Sequence, residues 1–131
     1  MGHGIYMILG TGIDIVSIPR MVKSLSRWGD VFTKRVFTDV EREYCQKKNR
    51  YAGHFAARFA VKEAFLKALG SGLVKRMKWS DVEVMNEASG KPIVNLSGEV
   101  KRVAKDLRVT HIFVSITHTH EYAIAQVILE R

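Results

Sequence analysis

Between Met7 and Val16 the side chains alternate, with Leu9, Thr11, Ile13 and Ile15 on one face and Ile8, Gly10, Gly12 and Asp14 on the other. A period of two predicts a strand, here with one face trimmed by glycine and ended by a carboxylate. Ser17 is placed to cap a helix entered through Pro19 and stopped at Gly29. Its buried stripe is Ile18, Met21, Val22, Leu25 and Trp28, with Arg20, Lys23 and Arg27 opposite. Thr38-Asp39-Val40-Glu41 reads as a capping box opening a helix through about Lys48. A long helix follows, ending at Gly70-Ser71-Gly72. Trp79 to Met85 alternates as a strand, Ser89-Gly90-Lys91-Pro92 makes a turn, and Ile93 to Leu96 forms a short return strand. Ser97 is positioned to cap a helix with the stripe Val100, Val103, Ala104 and Leu107. His111 to Thr117 and Tyr122 to Leu129 read as a terminal hairpin. The order β-α-α-α-β-β-α-β-β predicts an α+β fold with a mainly antiparallel sheet packed with a long buried helix.

The long helix is the most telling segment. Phe55, Phe59 and Leu66 form one bulky ridge, Val61, Phe65 and Leu69 a second, and Ala56, Ala57, Ala60, Ala64 and Ala68 cover the rest. A helix apolar nearly all round is expected to be buried. Glu63 and Lys67 nevertheless rise from its small-residue strip, and a carboxylate withdrawn from water needs a partner or a cation. Two readings fit. Glu63 and Lys67 can form an ordinary i,i+4 ion pair, or the alanines beside them can admit another backbone or a ligand.

Bulk properties narrow the picture. At 131 residues, residues 7–131 read as a single domain, with residues 1–6 as an extension ahead of a second possible start at Met7. Cys45 is alone, which rules out an internal disulfide and fits a reducing, cytoplasmic setting. The apolar stretch from Ile5 is interrupted by Gly10, Gly12 and Asp14, too short and polar to span a membrane. Twenty-one Lys and Arg against thirteen Asp and Glu leave a net charge of +8, which favours anionic partners.

Asp14 at a strand end, Glu63 with Lys67 on the buried helix, and His118 within Ser115-Ile116-Thr117-His118-Thr119 form the candidate chemistry. Two carboxylates from separate elements can hold Mg²⁺ and leave positions for water and phosphate oxygens. Lys67 would add a point charge for phosphate, and His118 could bind phosphate or move protons. The set suits chemistry on a pyrophosphate. Asp14 could equally support the start of the following helix. His118 and His120 alternate onto one strand face, yet a single Cys and no third ligand nearby leave zinc unsupported. No Gly-x-x-x-x-Gly-Lys loop and no Gly-x-Gly-x-x-Gly after a strand points to the common nucleotide folds. A basic nucleic-acid-binding module without catalysis remains the alternative, built on Lys47, Lys48, Arg50, Lys75 and Arg76. Its weakness is that the aromatic residues sit at core spacing.

Gly12-Ile13-Asp14-Ile15-Val16, the run Phe55 to Gly70, the turn Ser89-Gly90-Lys91-Pro92 and Val114-Ser115-Ile116-Thr117-His118-Thr119 together resemble the holo-[acyl-carrier-protein] synthases, the small-type 4'-phosphopantetheinyl transferases. The resemblance runs in order from Met7 to Glu130; Val61 stands where many members have Ala. It implies the phosphopantetheinyl transferase fold. It also implies transfer of the 4'-phosphopantetheine arm from coenzyme A to a serine of apo-acyl carrier protein, with adenosine 3',5'-bisphosphate released, in support of fatty acid biosynthesis. By the same match Asp14 and Glu63 would ligate Mg²⁺, Lys67 would bind phosphate, and His118 would contact the nucleotide end of coenzyme A. Arg58 and Gly90, Lys91 and Pro92 would line the nucleotide site. Glu63 or a metal-bound water would take the proton. Arg20, Lys23 and Arg27 would face the acidic carrier protein, and the assembly would be a homotrimer with sites between subunits.

Overall fold

The computed structural model describes residues 5–131; the first four residues of the expected extension lie outside the described residues. The order follows the pattern: β1 (Ile8–Ser17), α1 (Ile18–Val36), α2 (Asp39–Gln46), α3 (Tyr51–Leu69), a 3-10 turn (Trp79–Asp81), β2 (Val82–Asn86), β3 (Pro92–Leu96), α4 (Gly98–Asp106), β4 (His111–His118) and β5 (Tyr122–Glu130). β1, β5 and β4 make one antiparallel sheet in that order, and β2 and β3 form a separate hairpin. α3 lies across the three-stranded sheet. Ala60, Ala64, Phe65 and Leu66 of α3, Ala125 and Val127 of β5, and Val82, Val84 and Val100 share one buried cluster. Phe37, Cys45, Phe55 and Ala123 belong to a second.

The glycines of β1 set the distance between strand and helix. A Cβ on Gly12 would sit 1.8 Å from the Ala64 carbonyl oxygen, and one on Gly10 would sit 1.9 Å from that of Ala68. Backbone meets backbone there, so only hydrogen fits. Two strand residues advance about 6.8 Å and one helical turn about 5.4 Å, so the strand steps past α3 one turn at a time. The next residue on that face is Asp14. The alanine strip thus admits a neighbouring backbone, one of the two uses its composition allowed.

Local signals explain the helix starts. Ser17 Oγ accepts from the Arg20 amide at 3.3 Å, and Thr38 and Glu41 exchange both capping-box hydrogen bonds, at 3.2 and 2.9 Å. Four details differ from the sequence reading. A register shift between Ile8 and Gly10 turns Leu9 into the core, away from Thr11, Ile13 and Ile15. Gly29, at φ 50° and ψ −128°, kinks α1 instead of ending it. Past that kink Phe32, Val36 and Phe37 take over the packing, so Val22 (46% exposed) and Trp28 (54% exposed) face solvent rather than forming a buried stripe. Ser97 occupies the cap position of α4 without making a side-chain hydrogen bond.

Candidate active site

β1 delivers Asp14 toward α3 on the face cleared by Gly10 and Gly12. Lys67 Nζ donates to Asp14 Oδ1 at 2.9 Å and to the Ile13 carbonyl at 3.0 Å. Lys67 therefore closes on Asp14 rather than on Glu63, one turn before it on the same helix. Its hydrogen bond to Asp14 holds the ammonium charged, raising its proton affinity. Asp14 Oδ2 is buried and no protein donor reaches it. Glu63 lines the same cleft, close enough to Asp14 for the two carboxyl groups to perturb each other. Burial first, then the negative charge of Asp14 and the hydrogen bond a protonated Glu63 donates to it, push the Glu63 carboxyl from 4.5 up to about 6; Lys67 opposes this weakly.

Among the described residues no third Asp, Glu, His or Cys joins them. Two carboxylates, one with an orphaned buried oxygen, fit a hard cation that keeps water and substrate oxygens as its other ligands. A proton on Glu63 is the alternative way to satisfy Asp14 Oδ2. The pair opens into a cleft of about 380 Å³ lined by Val16, Ser17, Arg20, Phe59 and Glu63 among others. Arg20 also borders a shallow groove with Lys23, Ser24, Arg27 and Trp28. The basic face of α1 is thereby continuous with the acidic pair, and the Arg27 guanidinium stacks over the Trp28 ring at 5.0 Å.

His118 stands elsewhere. In the sheet register Asp14 pairs with Ala125 and Ala125 with Ile116. His118 is therefore two strands across, about 10 Å, and two residues along, about 7 Å. It lines a separate cleft of about 330 Å³ at the start of α3, with Arg50, His54, Ala57, Thr119 and His120. Arg50 Nη1 and His120 Nδ1 are 3.2 Å apart. Burial, with Arg58, Lys48 and His118 nearby, lowers the His54 proton affinity.

Arg58 is 4% exposed. It stacks on the Tyr44 ring at 4.0 Å and donates from Nη2 to Asn86 Oδ1 at 2.8 Å, and its Nε is buried without a partner. Asn86 Nδ2 donates in turn to the Gly90 carbonyl at 3.0 Å. Arg58 and the Gly90-Lys91-Pro92 turn, far apart in sequence, are thus tied together through a residue sequence reasoning did not single out. His54 and Tyr44 were missed as well, and Arg50 was singled out only for the nucleic-acid-binding alternative. Their surroundings come from long-range packing, and only Asn86 carried a signal, its place at the mouth of the β2–β3 turn.

The model of the 4'-phosphopantetheinyl transferase superfamily matches residues 10–127. The holo-[acyl-carrier-protein] synthase of Geobacter sulfurreducens is 49% identical over 125 residues, covering 95% of this chain and 99% of the relative. The crystal structure of the Neisseria meningitidis holo-[acyl-carrier-protein] synthase superposes with a TM-score of 0.88 at 27% identity, over 95% of this chain and all of that one. That of the Bacillus anthracis synthase, solved with coenzyme A (3',5'-ADP), gives 0.77 at 40% identity over 95% and 97% of the two chains. With that family model spanning residues 10–127 and a 49% identical relative covering 95% of its length, the chain belongs to the 4'-phosphopantetheinyl transferase superfamily.

Proposed function

We propose that this protein is a holo-[acyl-carrier-protein] synthase, moving 4'-phosphopantetheine from coenzyme A to a serine of apo-acyl carrier protein and so serving fatty acid biosynthesis. The observation that carries the reading is the convergence of Asp14, Glu63 and Lys67 beside a basic helix face. In the reaction the serine oxygen bonds to the phosphorus that carries pantetheine. The bond from that phosphorus to the bridging oxygen breaks, and adenosine 3',5'-bisphosphate leaves. The serine supplies the nucleophile, which accounts for a site without a Ser-His or Cys-His pair of its own.

Asp14 and Glu63 would hold Mg²⁺, which supplies charge neutralisation on the diphosphate when bound. Lys67, anchored by Asp14 yet more than half exposed at its side chain, is placed to meet phosphate oxygens and favour the leaving group. Of the side chains here, Glu63 would take the serine proton. His118, His54 and Arg50 form a cleft suited to the nucleotide end, joined by Arg58 and the Gly90-Lys91-Pro92 turn.

The acidic pair and the His118 cleft lie apart within one chain, which supports a site completed between subunits of a homotrimer. The outer face of the sheet, where Ile13, Ile15 and Phe113 are exposed, offers an apolar surface for such an assembly. Arg20, Lys23 and Arg27 give the acidic carrier a complementary surface that runs into the site. A lone buried thiol, Cys45, suits the cytoplasm, and no helix among the described residues is long and apolar enough to cross a membrane.

The decisive experiment incubates the protein with coenzyme A, Mg²⁺ and apo-acyl carrier protein and weighs the carrier by mass spectrometry. A gain of one phosphopantetheine is expected, lost in folded Asp14→Ala and Glu63→Ala variants. Full turnover by both variants would overturn the metal assignment.

A further inference from the structure

The most deeply buried charges in the molecule lie outside the site. Glu41 and Lys62 both have 0% exposed side chains and meet at 2.7 Å. Lys62 Nζ also donates to the carbonyls of Val82 at 2.5 Å and Trp79 at 3.2 Å. Glu41 Oε2 accepts from the Val84 amide at 2.8 Å, while Oε1 accepts from the Thr38 amide at 2.9 Å. The pair therefore ties the middle of α3 to the start of α2, to the 3-10 turn and to β2, with its polar groups satisfied.

Its placement on α3 is informative. At 100° per residue, Lys62 projects about 200° from Ala64, whose carbonyl rests on Gly12. The helix is thus held at its front by backbone contact with β1 and at its back by Lys62. Glu63 lies between, to one side. The glycines fix how near α3 comes to Asp14, but on the alanine strip that faces them no long side chain interlocks with the strand to fix the helix's rotation. Turning the helix by 20° would carry a side chain about 6 Å from the axis through roughly 2 Å, enough to part Glu63 from Asp14. Two adjacent carboxylates push in that direction.

The geometry points to Lys62 and Glu41 as positioning residues, a rotational lock that holds Glu63 against Asp14. This rests on the transferase reading only in what the positioned pair is for. A buried ion pair is a poor source of net stability and can be replaced by neutral groups at little cost. Its worth here is angular.

The test is a set of four proteins: wild type, E41Q/K62M, E63Q, and the triple variant, melted in chelator at pH 7.5 and fixed protein concentration. E41Q and K62M together leave no unpaired buried charge, so the neutral pair is built to fold. The melting temperature lost to E41Q/K62M is expected to be at least half as large again in the E63Q background, because in wild type freeing the helix also relieves the repulsion between Asp14 and Glu63 and so offsets part of the loss. In the folded E41Q/K62M protein the Mg²⁺ concentration for half-maximal transfer should rise at least tenfold. An equal or smaller loss in the E63Q background, an E41Q/K62M protein that does not fold, or an unchanged Mg²⁺ requirement would overturn the lock. Absence of transfer by wild type would overturn the transferase reading and leave the melting comparison standing.

Discussion

Replacing Glu63 by Gln should make the metal-free protein more stable at neutral pH while abolishing transfer. Glu63 and Asp14 stand side by side, and the Glu63 carboxyl is pushed up from 4.5 to about 6. A raised value in the fold means that the folded state binds the proton more tightly than the unfolded chain does. The favourable contribution of Glu63 is therefore complete below pH 4.5 and is lost as pH rises through about 6. At 1.36 kcal/mol per pH unit the full difference is about 2 kcal/mol. Because solvent reaches the cleft, about 1 kcal/mol is the realistic share. For a chain of this size that corresponds to roughly 3–5 °C in Tm.

Gln does not titrate, and its amide can donate to Asp14 Oδ2 at every pH. The variant's advantage should thus be absent below pH 4.5, grow to about pH 6, and stay level above. Thermal melts by circular dichroism in chelator, from pH 4.5 to 8 at one protein concentration, measure it directly. Added Mg²⁺ should raise the wild-type Tm and leave that of the variant unmoved, closing the gap. A Glu63→Gln protein less stable than wild type at pH 7.5, or a gap that ignores pH, would refute the argument that the two carboxylates strain each other.

Other outcomes follow from the same geometry. Gly12→Ala must force strand and helix apart, since its Cβ would lie 1.8 Å from a backbone oxygen; a Tm loss of about 10 °C is expected. Gly53→Ala, whose Cβ meets nothing nearer than Ile18 at 3.9 Å, should instead gain a degree or more by removing a helical glycine. Lys67→Ala should lower kcat about a hundredfold and shift Tm by less than 2 °C, because the side chain is exposed and its salt bridge contributes little to folding; steady-state assays and melts on one preparation check both. Arg20, Lys23 and Arg27 changed together to Glu should raise KM for the carrier at least tenfold with KM for coenzyme A unchanged, the wild-type KM rising with salt.

Much of this was legible in the sequence because short-range rules govern it. The Thr38-Glu41 capping box, the Ser17 cap, the alternation of β1 and the terminal hairpin each depend on residues within a few positions. The pairing of Asp14 with Glu63 was inferable because two acids at the edge of otherwise apolar surfaces need a reason. Trp28 shows the limit. Its spacing placed it in a buried stripe, but Gly29 takes a backbone angle that no helical period encodes, and the ring ends in solvent. The i,i+4 reading of Glu63 and Lys67 failed likewise, because an acid 53 residues away in sequence competed for the same ammonium.

Glu41 makes the deeper point about one residue with two duties. Its spacing from Thr38 announced a helix cap, and it is one. Nothing near it announced that the same carboxylate would be fully buried against Lys62, because that contact exists only once α2, α3 and β2 have met. A cap alone leaves one carboxylate oxygen in water and tolerates Gln. A cap that is also the counterion of a buried lysine must stay charged, or be replaced together with its partner. The capping box and the alanine-rich helix, separate as sequence signals, are one device in the fold. The cap orients Glu41, Glu41 seats Lys62, and Lys62 turns α3 so that its next residue faces Asp14.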